Sequence, residues 1–286
     1  MAEPGPPGDR YRIRLDDGRV LAWTQWGPRG ARPVVFCAGA GMSGSLGFGT
    51  AHLARLDLSL VAVDRPGLGD SSPHPGKTLA SWVDDVADLL GRLGQPEVYA
   101  VGFSQGSVFA AALAGAGLVR AAALVSGQDD LRAVRGELPP EVRTMLDEAA
   151  ADPVAFEAEV AEWAGADRLW DLVVGMSSPA DRAYYTGGAF GAAYREALDE
   201  GFAQGAGGYA RDLVTAIGDW YVAPEQVGVP VDLWYGGGDT SPVHSPDQGR
   251  GLAARFPRGR LHLLPDEGGS LLWTRSADIL VGLLQR

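Results

Sequence analysis

Short, nearly continuous apolar runs recur along the chain, separated by stretches in which apolar residues return every three or four positions. The runs at residues 33–37, 59–64, 98–102, 121–126, 231–235 and 260–264 are too short for helices and mostly lack a polar face. That pattern suits strands buried on both sides in a parallel sheet. Residues 11–15 and 20–26 alternate instead, and Asp16-Asp17-Gly18-Arg19 between them has the composition of a tight turn, which predicts an antiparallel hairpin. Residues 78–93 set Leu79, Trp82, Val83, Val86, Leu89 and Leu90 on one helical face. Strand and helix patterns therefore alternate, and the predicted fold is α/β, a doubly wound and mostly parallel sheet.

The alternation stops over residues 128–229. No strand pattern occurs there, and amphipathic helical stretches follow one another at 141–150, 153–164 and 180–202. The expected organisation is a core of residues 11–127 and 230–286 with an inserted helical cap at 128–229. Residues 1–10, rich in proline and glycine, are expected to be a disordered lead-in. The insertion carries many of the large aromatic side chains. Most of them suit the insertion's own core, and Trp163, Trp170, Tyr184 and Tyr185 are the candidates to line a substrate pocket beneath it.

Composition narrows the partners. With 286 residues and 46% hydrophobic content, the chain can bury one large core. The formal charge of -12, with Lys77 as the sole lysine, argues against nucleic acid and anionic membrane surfaces as partners. Cys37 is the single cysteine, so no internal disulfide can form, which fits a reducing, cytoplasmic setting. No apolar run approaches the length of a spanning helix, so no membrane partner is expected. No metal-ligand spacing or phosphate loop is present; no metal and no cofactor are expected, and the partner is a small-molecule substrate.

The apolar run at 98–102 leads straight into Gly102-Phe103-Ser104-Gln105-Gly106 and then into an alanine-rich helical stretch. A strand, Gly-x-Ser-x-Gly and a helix in that order make a nucleophile elbow, with the serine hydroxyl exposed on a sharp turn. Three further landmarks stand in order along the chain: Cys37-Ala38-Gly39-Ala40-Gly41, the segment Asp64-Arg65-Pro66-Gly67-Leu68-Gly69-Asp70-Ser71, and Tyr235-Gly236-Gly237-Gly238-Asp239. With these four the chain resembles the α/β-hydrolase superfamily, in its capped, prolyl-aminopeptidase-like and epoxide-hydrolase-like branch, from about Val20 to Leu284. The resemblance implies Ser104 as nucleophile, Asp239 as the acid that orients a histidine, and an oxyanion hole built from the backbone N–H groups of Ala40 and Gln105.

The resemblance also implies a histidine in a Glu-Gly-His segment near the end of the chain. Here the matching segment is Glu267-Gly268-Gly269, so Gly269 stands at the histidine position, and the neighbouring Ser270 is a poor base. Four histidines remain. His262 falls in a predicted strand, His52 precedes a helix near the oxyanion loop, and His74 sits in a proline-flanked turn. His244 follows Asp239 by five residues and reaches the pocket if its loop folds inward; it is the candidate base. Asp129 and Asp130 read as solvated hinge residues, and Asp64 and Arg65 as a pair at their turn.

Loss of a triad histidine costs on the order of a million-fold in turnover, while an oxyanion hole and binding alone retain ~10³ to 10⁴ over water. Three readings follow. The chain is an atypical enzyme that hydrolyses an ester, thioester or lactone of a small apolar or aromatic substrate through Ser104; or it catalyses a non-hydrolytic cyclisation or elimination in secondary metabolism; or it is a ligand-binding pseudoenzyme.

Overall fold

The apolar runs become the middle of one eight-stranded sheet, in the order β1-β2-β4-β3-β5-β6-β7-β8. The strands are β1 (Asp9–Arg14), β2 (Val20–Trp26), β3 (Arg32–Cys37), β4 (Leu58–Val63), β5 (Tyr99–Phe103), β6 (Ala121–Val125), β7 (Val231–Gly236) and β8 (Gly259–Leu264). This is the arrangement in a computed structural model, which describes residues 5–286. Every residue of β4, β5, β6 and β7 is buried, as expected of strands covered on both faces, whereas edge strand β1 keeps an alternating exposed face. The β1–β2 and β2–β4 pairs are antiparallel and all the others parallel.

Helices cover both faces: α1 (Leu53–Leu56), α2 (Leu79–Leu93), α3 (Gly106–Gly115), α4 (Pro140–Ala151), α5 (Pro153–Trp163), α6 (Ala166–Met176), α7 (Pro179–Tyr185), α8 (Gly188–Gly201), α9 (Gly207–Ile217), α10 (Arg250–Arg255), α11 (Leu271–Thr274) and α12 (Ser276–Leu284). Successive strand residues point to opposite faces. Val34 and Phe36 therefore join one apolar cluster with Leu272 and Ile279, while Val35 and Cys37 join a second with Trp82 and Phe109. The start of α2 is set by Thr78, whose hydroxyl accepts from Ser81 N–H at 3.1 Å while the Ser81 hydroxyl accepts from Thr78 N–H at 3.0 Å, a reciprocal cap. Among the described residues no helix is long and apolar enough to cross a membrane.

Between β6 and β7 the chain is helical throughout its regular elements, α4 to α9. The helical stretch expected at 180–202 is two helices. Thr186 and Gly187 separate α7 from α8, and Gly188, the first residue of α8, takes φ +44°, a left-handed conformation that the interior of one continuous helix cannot contain. Helices α6 and α9 add to the stretches read from the pattern.

The disordered lead-in expected over residues 1–10 is corrected at its far end; residues 1–4 lie outside the described residues. The Trp26 indole N–H donates to the Pro6 carbonyl at 2.8 Å, and Asp9 and Arg10 pair with Gln25 and Thr24 in β1. The pairing of Asp64 with Arg65 is corrected too. Asp64 accepts from the N–H groups of Gly44 (2.6 Å) and Asp70 (3.0 Å). Arg65 lies 2.7 Å from Asp212 on α9, and Lys77 lies 2.5 Å from the same carboxylate, all three side chains being fully enclosed. Burial pushes the Lys77 ammonium down and Asp212 opposes this. One aspartate from the insertion thus balances two buried cations of the core, and losing it would leave charges in low dielectric without a partner.

Candidate active site

Where β5 meets α3, Ser104 adopts φ +51°. A non-glycine residue holds that conformation only where its surroundings over-determine it, at a cost of about 1–3 kcal/mol. Here Ser104 N–H donates to Val125 C=O at 3.1 Å, while Ser107 and Gln128 N–H donate to Ser104 C=O. The flanking glycines are steric requirements. A Cβ at Gly102 would stand 2.5 Å from Ser107 Cα, and one at Gly106 would stand 2.0 Å from the Cys37 carbonyl oxygen. The Gly-x-Ser-x-Gly spacing is what lets the turn close against β3 and α3.

Residues 237–249, after β7, lie in neither strand nor helix. The Asp239 carboxylate accepts from Ser241 N–H at 3.0 Å, which turns the chain; His244 N–H then donates to Ser241 C=O at 3.3 Å and Ser245 N–H to Gly127 C=O at 3.2 Å. The loop therefore folds back over the end of β6 and brings the His244 ring between two other predicted site residues. His244 Nε2 is 2.9 Å from Ser104 Oγ, and Nδ1 is 2.7 Å from Asp239 Oδ2. Burial works against the Asp239 carboxylate, but the adjacent His244 ring and the Ser241 N–H prevail and hold its pKa below the ordinary 3.8. An ionised Asp239 retains the proton on Nδ1, which leaves the Nε2 lone pair facing the serine hydroxyl.

Gly269 sits across the same carboxylate. A Cβ there would stand 3.2 Å from Asp239 Oδ1 and 3.4 Å from Oδ2. The Gly269 and Ser270 N–H groups donate to the two oxygens of Asp181 on α7, each at 2.9 Å, so the loop after β8 is docked on the helical insertion. The other histidines are elsewhere. His262 stacks flat on Trp234, with centroids 3.8 Å apart, and its Nε2 is 3.3 Å from Asp232. His52 ends a short turn at Thr50–His52, and His74 is half-buried in its own turn.

The N–H groups of Ala40 and Gln105 donate to no protein acceptor among the described residues, and Gln105 lies at the N-terminus of α3, where free N–H groups favour an anion. The loop holding Ala40 is braced from beneath. Arg65 donates to the Ala38 carbonyl at 2.6 Å and to the Gly39 carbonyl at 2.9 Å.

Above these groups lies a cavity of about 600 Å³, lined by Ser104, His244, Asp239 and by helices of the insertion. Of the four aromatics singled out in the sequence, Trp163 and Tyr185 line it. Trp170 and Tyr184 do not. Trp170 packs edge-on to Tyr194 at 5.7 Å beneath the Arg195 guanidinium, and Tyr184 packs on Phe190 at 4.6 Å. Phe103, Phe156, Tyr194 and Tyr209 line the cavity instead. On α7 the adjacent Tyr184 and Tyr185 leave the helix on different sides and only Tyr185 lines the cavity, so periodicity alone does not say which side of a helix faces the serine. Burial raises the Tyr185 and Tyr194 phenols above their usual range, so both present neutral hydroxyls. Among the described residues no lysine or arginine lines the cavity; its charged lining is Glu141, Glu148, Glu159, Asp181 and Asp239. No group of three or more His, Cys, Asp or Glu side chains is arranged there or elsewhere among the described residues to hold a metal ion.

Asp129, read from the sequence as solvated, is buried and lies 2.5 Å from the Ser245 hydroxyl. Asp130, read in the same way, is half-buried and ion-paired with Arg255 at 2.9 Å.

Comparison with known proteins agrees with this architecture. A family described as alpha/beta hydrolase fold matches residues 32–276. No curated protein matches the sequence. Among solved structures, a hydrolase from Pseudomonas aeruginosa is 20% identical with a TM-score of 0.73, covering 98% of this chain and 99% of its own. An enol-lactonase from Burkholderia xenovorans is 21% identical with a TM-score of 0.70, covering 96% of this chain and 100% of its own. A bromoperoxidase from Bacillus anthracis is 19% identical with a TM-score of 0.64, covering 97% of this chain and 99% of its own.

Proposed function

Given that this chain belongs to the α/β-hydrolase fold family, we propose that it is a serine hydrolase whose general base is His244, on the loop after β7, in place of a histidine at Gly269. The observation that carries this reading is the unbroken hydrogen-bonded chain Ser104–His244–Asp239, at 2.9 and 2.7 Å. His244 removes the proton from Ser104 Oγ as that oxygen attacks the substrate carbonyl, and the resulting oxyanion meets the N–H groups of Ala40 and Gln105. The imidazolium, stabilised by Asp239, returns the proton to the departing alcohol or thiol. An acyl-serine remains. Water, deprotonated by the same ring, then attacks the acyl group, and Ser104 leaves with that proton to restore the free enzyme.

The substrate we infer is an uncharged, largely apolar ester, thioester or lactone. A carboxylate-bearing substrate would meet five acidic side chains and no lysine or arginine in the lining, and a desolvated anion without a counter-charge costs several kcal/mol. The helical insertion then serves as a cap that shields the reacting carbonyl from water. The non-hydrolytic and pseudoenzyme readings rest on a missing base, and nothing in the cavity favours either independently.

The test is labelling of the folded protein by a fluorophosphonate, read by intact mass. One label per chain is expected, on Ser104, absent in Ser104→Ala and slowed by at least 10³-fold in His244→Ala. A folded wild-type protein that takes no label overturns the reading.

A further inference from the structure

The ring of His244 hangs on a loop that no strand or helix stiffens, yet its useful geometry is narrow. A displacement of about 1 Å in a reacting group can cost on the order of 100-fold in rate. Asp239 grips the ring and the Ser241 N–H that precedes it, so the chain beyond His244 needs a hold of its own.

The next residue supplies a grip on the backbone. Ser245 turns its hydroxyl away from the cavity, into the space between the ends of β6 and β7. There its Oγ lies 2.5 Å from Asp129 Oδ2 and 2.9 Å from Asp247 Oδ1, and accepts the Gly249 N–H at 2.9 Å. A hydroxyl has one proton to give, and the shorter approach is to Asp129. The backbone N–H of Ser245 donates to Gly127 C=O, which also accepts the Tyr235 hydroxyl at 3.0 Å. Ser245 is thus fastened by both its main chain and its side chain to the segment that leaves β6.

Asp129 is an expensive anchor. It is 1% exposed, and among the described residues no arginine, lysine or histidine pairs with it; the nearby Arg255 is taken by Asp130 and Glu225. Its partners are the Ser245 hydroxyl and the Asp130 N–H at 2.7 Å. A buried carboxylate without a cation is costly, and the one side chain this carboxylate holds is the hydroxyl next to His244.

We propose that Asp129 and Ser245 are positioning residues: their hydrogen bond fixes the backbone one residue beyond His244 and so sets the angle at which the ring spans Asp239 and Ser104. The inference rests on the reading of His244 as base, and nothing in it requires either residue to touch substrate.

The test compares Ser245→Ala, Asp129→Ala and Asp129→Asn with the wild type. Turnover of a neutral p-nitrophenyl ester, the rate of fluorophosphonate labelling and the downfield NMR signal of the His244 Nδ1 proton, assigned by its loss in His244→Ala, are measured on each. Ser245→Ala and Asp129→Ala are expected to lower kcat and the labelling rate by about 10- to 100-fold with KM changed less than about 2-fold, and to shift or broaden the Nδ1 signal. Asp129→Asn keeps an oxygen that accepts from Ser245 and is expected to stay within about 5-fold of wild type. Folded Ser245→Ala protein with wild-type rates and an unchanged Nδ1 signal overturns the proposal, whether or not Asp129→Ala folds. Loss of activity in Asp129→Asn equal to that in Asp129→Ala also overturns it, since the charge rather than the hydrogen bond would then matter. Wild-type labelling that is insensitive to His244→Ala is a distinct result: it removes the base reading itself, and this inference falls with it.

Discussion

Two loops leave neighbouring strands at the same edge of the sheet and approach the same carboxylate, Asp239. The loop after β7 carries Asp239 and, five residues on, the ring that reaches Ser104. The loop after β8 presents Gly269 to the other side of that carboxylate and gives its N–H groups to Asp181 of the insertion. The first has the side chains that the proposed proton relay uses and little regular structure. The second has no titratable side chain at the carboxylate, but a firm attachment to the helices above. A triad is a requirement on distances, and adjacent parallel strands with closely spaced ends offer two routes to one set of distances. Chain order is the same by either route: serine, aspartate, histidine.

The comparison can be broken most severely by exchanging the histidine between the loops. His244→Ala is expected to lower kcat by about 10⁴- to 10⁶-fold. Adding Gly269→His to it should restore at least about 10-fold over the single variant, because the atoms nearest to a Cβ there are those of the Asp239 carboxyl, at 3.2 to 3.4 Å, and the backbone of Gly269 is not in the left-handed region. Ester turnover by the two variants, measured side by side, checks this; no recovery would show that docking on Asp181 keeps the second loop from aiming a ring at Ser104.

A smaller effect separates anchoring from chemistry. Asp181→Ala removes the acceptor of two buried N–H groups and of the Ser178 hydroxyl, which donates to Asp181 at 2.8 Å. Unsatisfied buried donors cost about 1–3 kcal/mol, so chemical denaturation should report a loss of that size. Fluorophosphonate labelling at Ser104 should remain within about 3-fold of wild type. A collapse of labelling with stability intact would mean that the β8 loop takes part in the relay after all.

The mildest perturbation is pH. The Asp239 pKa is depressed in the folded protein, so its stabilising contribution is fully present above the ordinary 3.8 and is lost as pH falls through the lower, folded value. Asp239→Asn should therefore flatten the acid limb of the stability curve relative to wild type. Unfolding midpoints measured between about pH 2 and pH 6 check the sign; equal slopes would mean that the carboxylate is not held ionised by the β7 loop.

Much of the site was legible because its signals are local. At 102 and 106 a Cβ would collide with α3 and β3, so the turn requires glycine at both, and the strand leading into it is buried along its whole length. Asp239 follows β7 by three residues and is found by finding the strand. His244 was a candidate from proximity alone; what distinguishes it from His52, His74 and His262 is the path of an irregular loop, set by the Ser241 and Ser245 backbone bonds. Trp170 and Tyr184 illustrate the same limit in the insertion. Their helical positions were readable, but the packing of Tyr194 and Phe190 against them, and so their distance from the cavity, depends on how α6, α7 and α8 meet.

What the sequence by itself determined is the sheet, the elbow with its serine, and the acid at the end of β7, because apolar period, glycine sterics and strand ends act over a few residues. Only the tertiary structure decided which histidine meets the serine, that Asp129 is an internal anchor instead of a solvated hinge, and that one aspartate of the insertion balances Arg65 and Lys77. Those outcomes join residues more than a hundred positions apart, such as Ser104 with His244 and Asp129 with Ser245. No local preference encodes such a meeting; it follows from which strand ends lie side by side and where the buried charges find their partners.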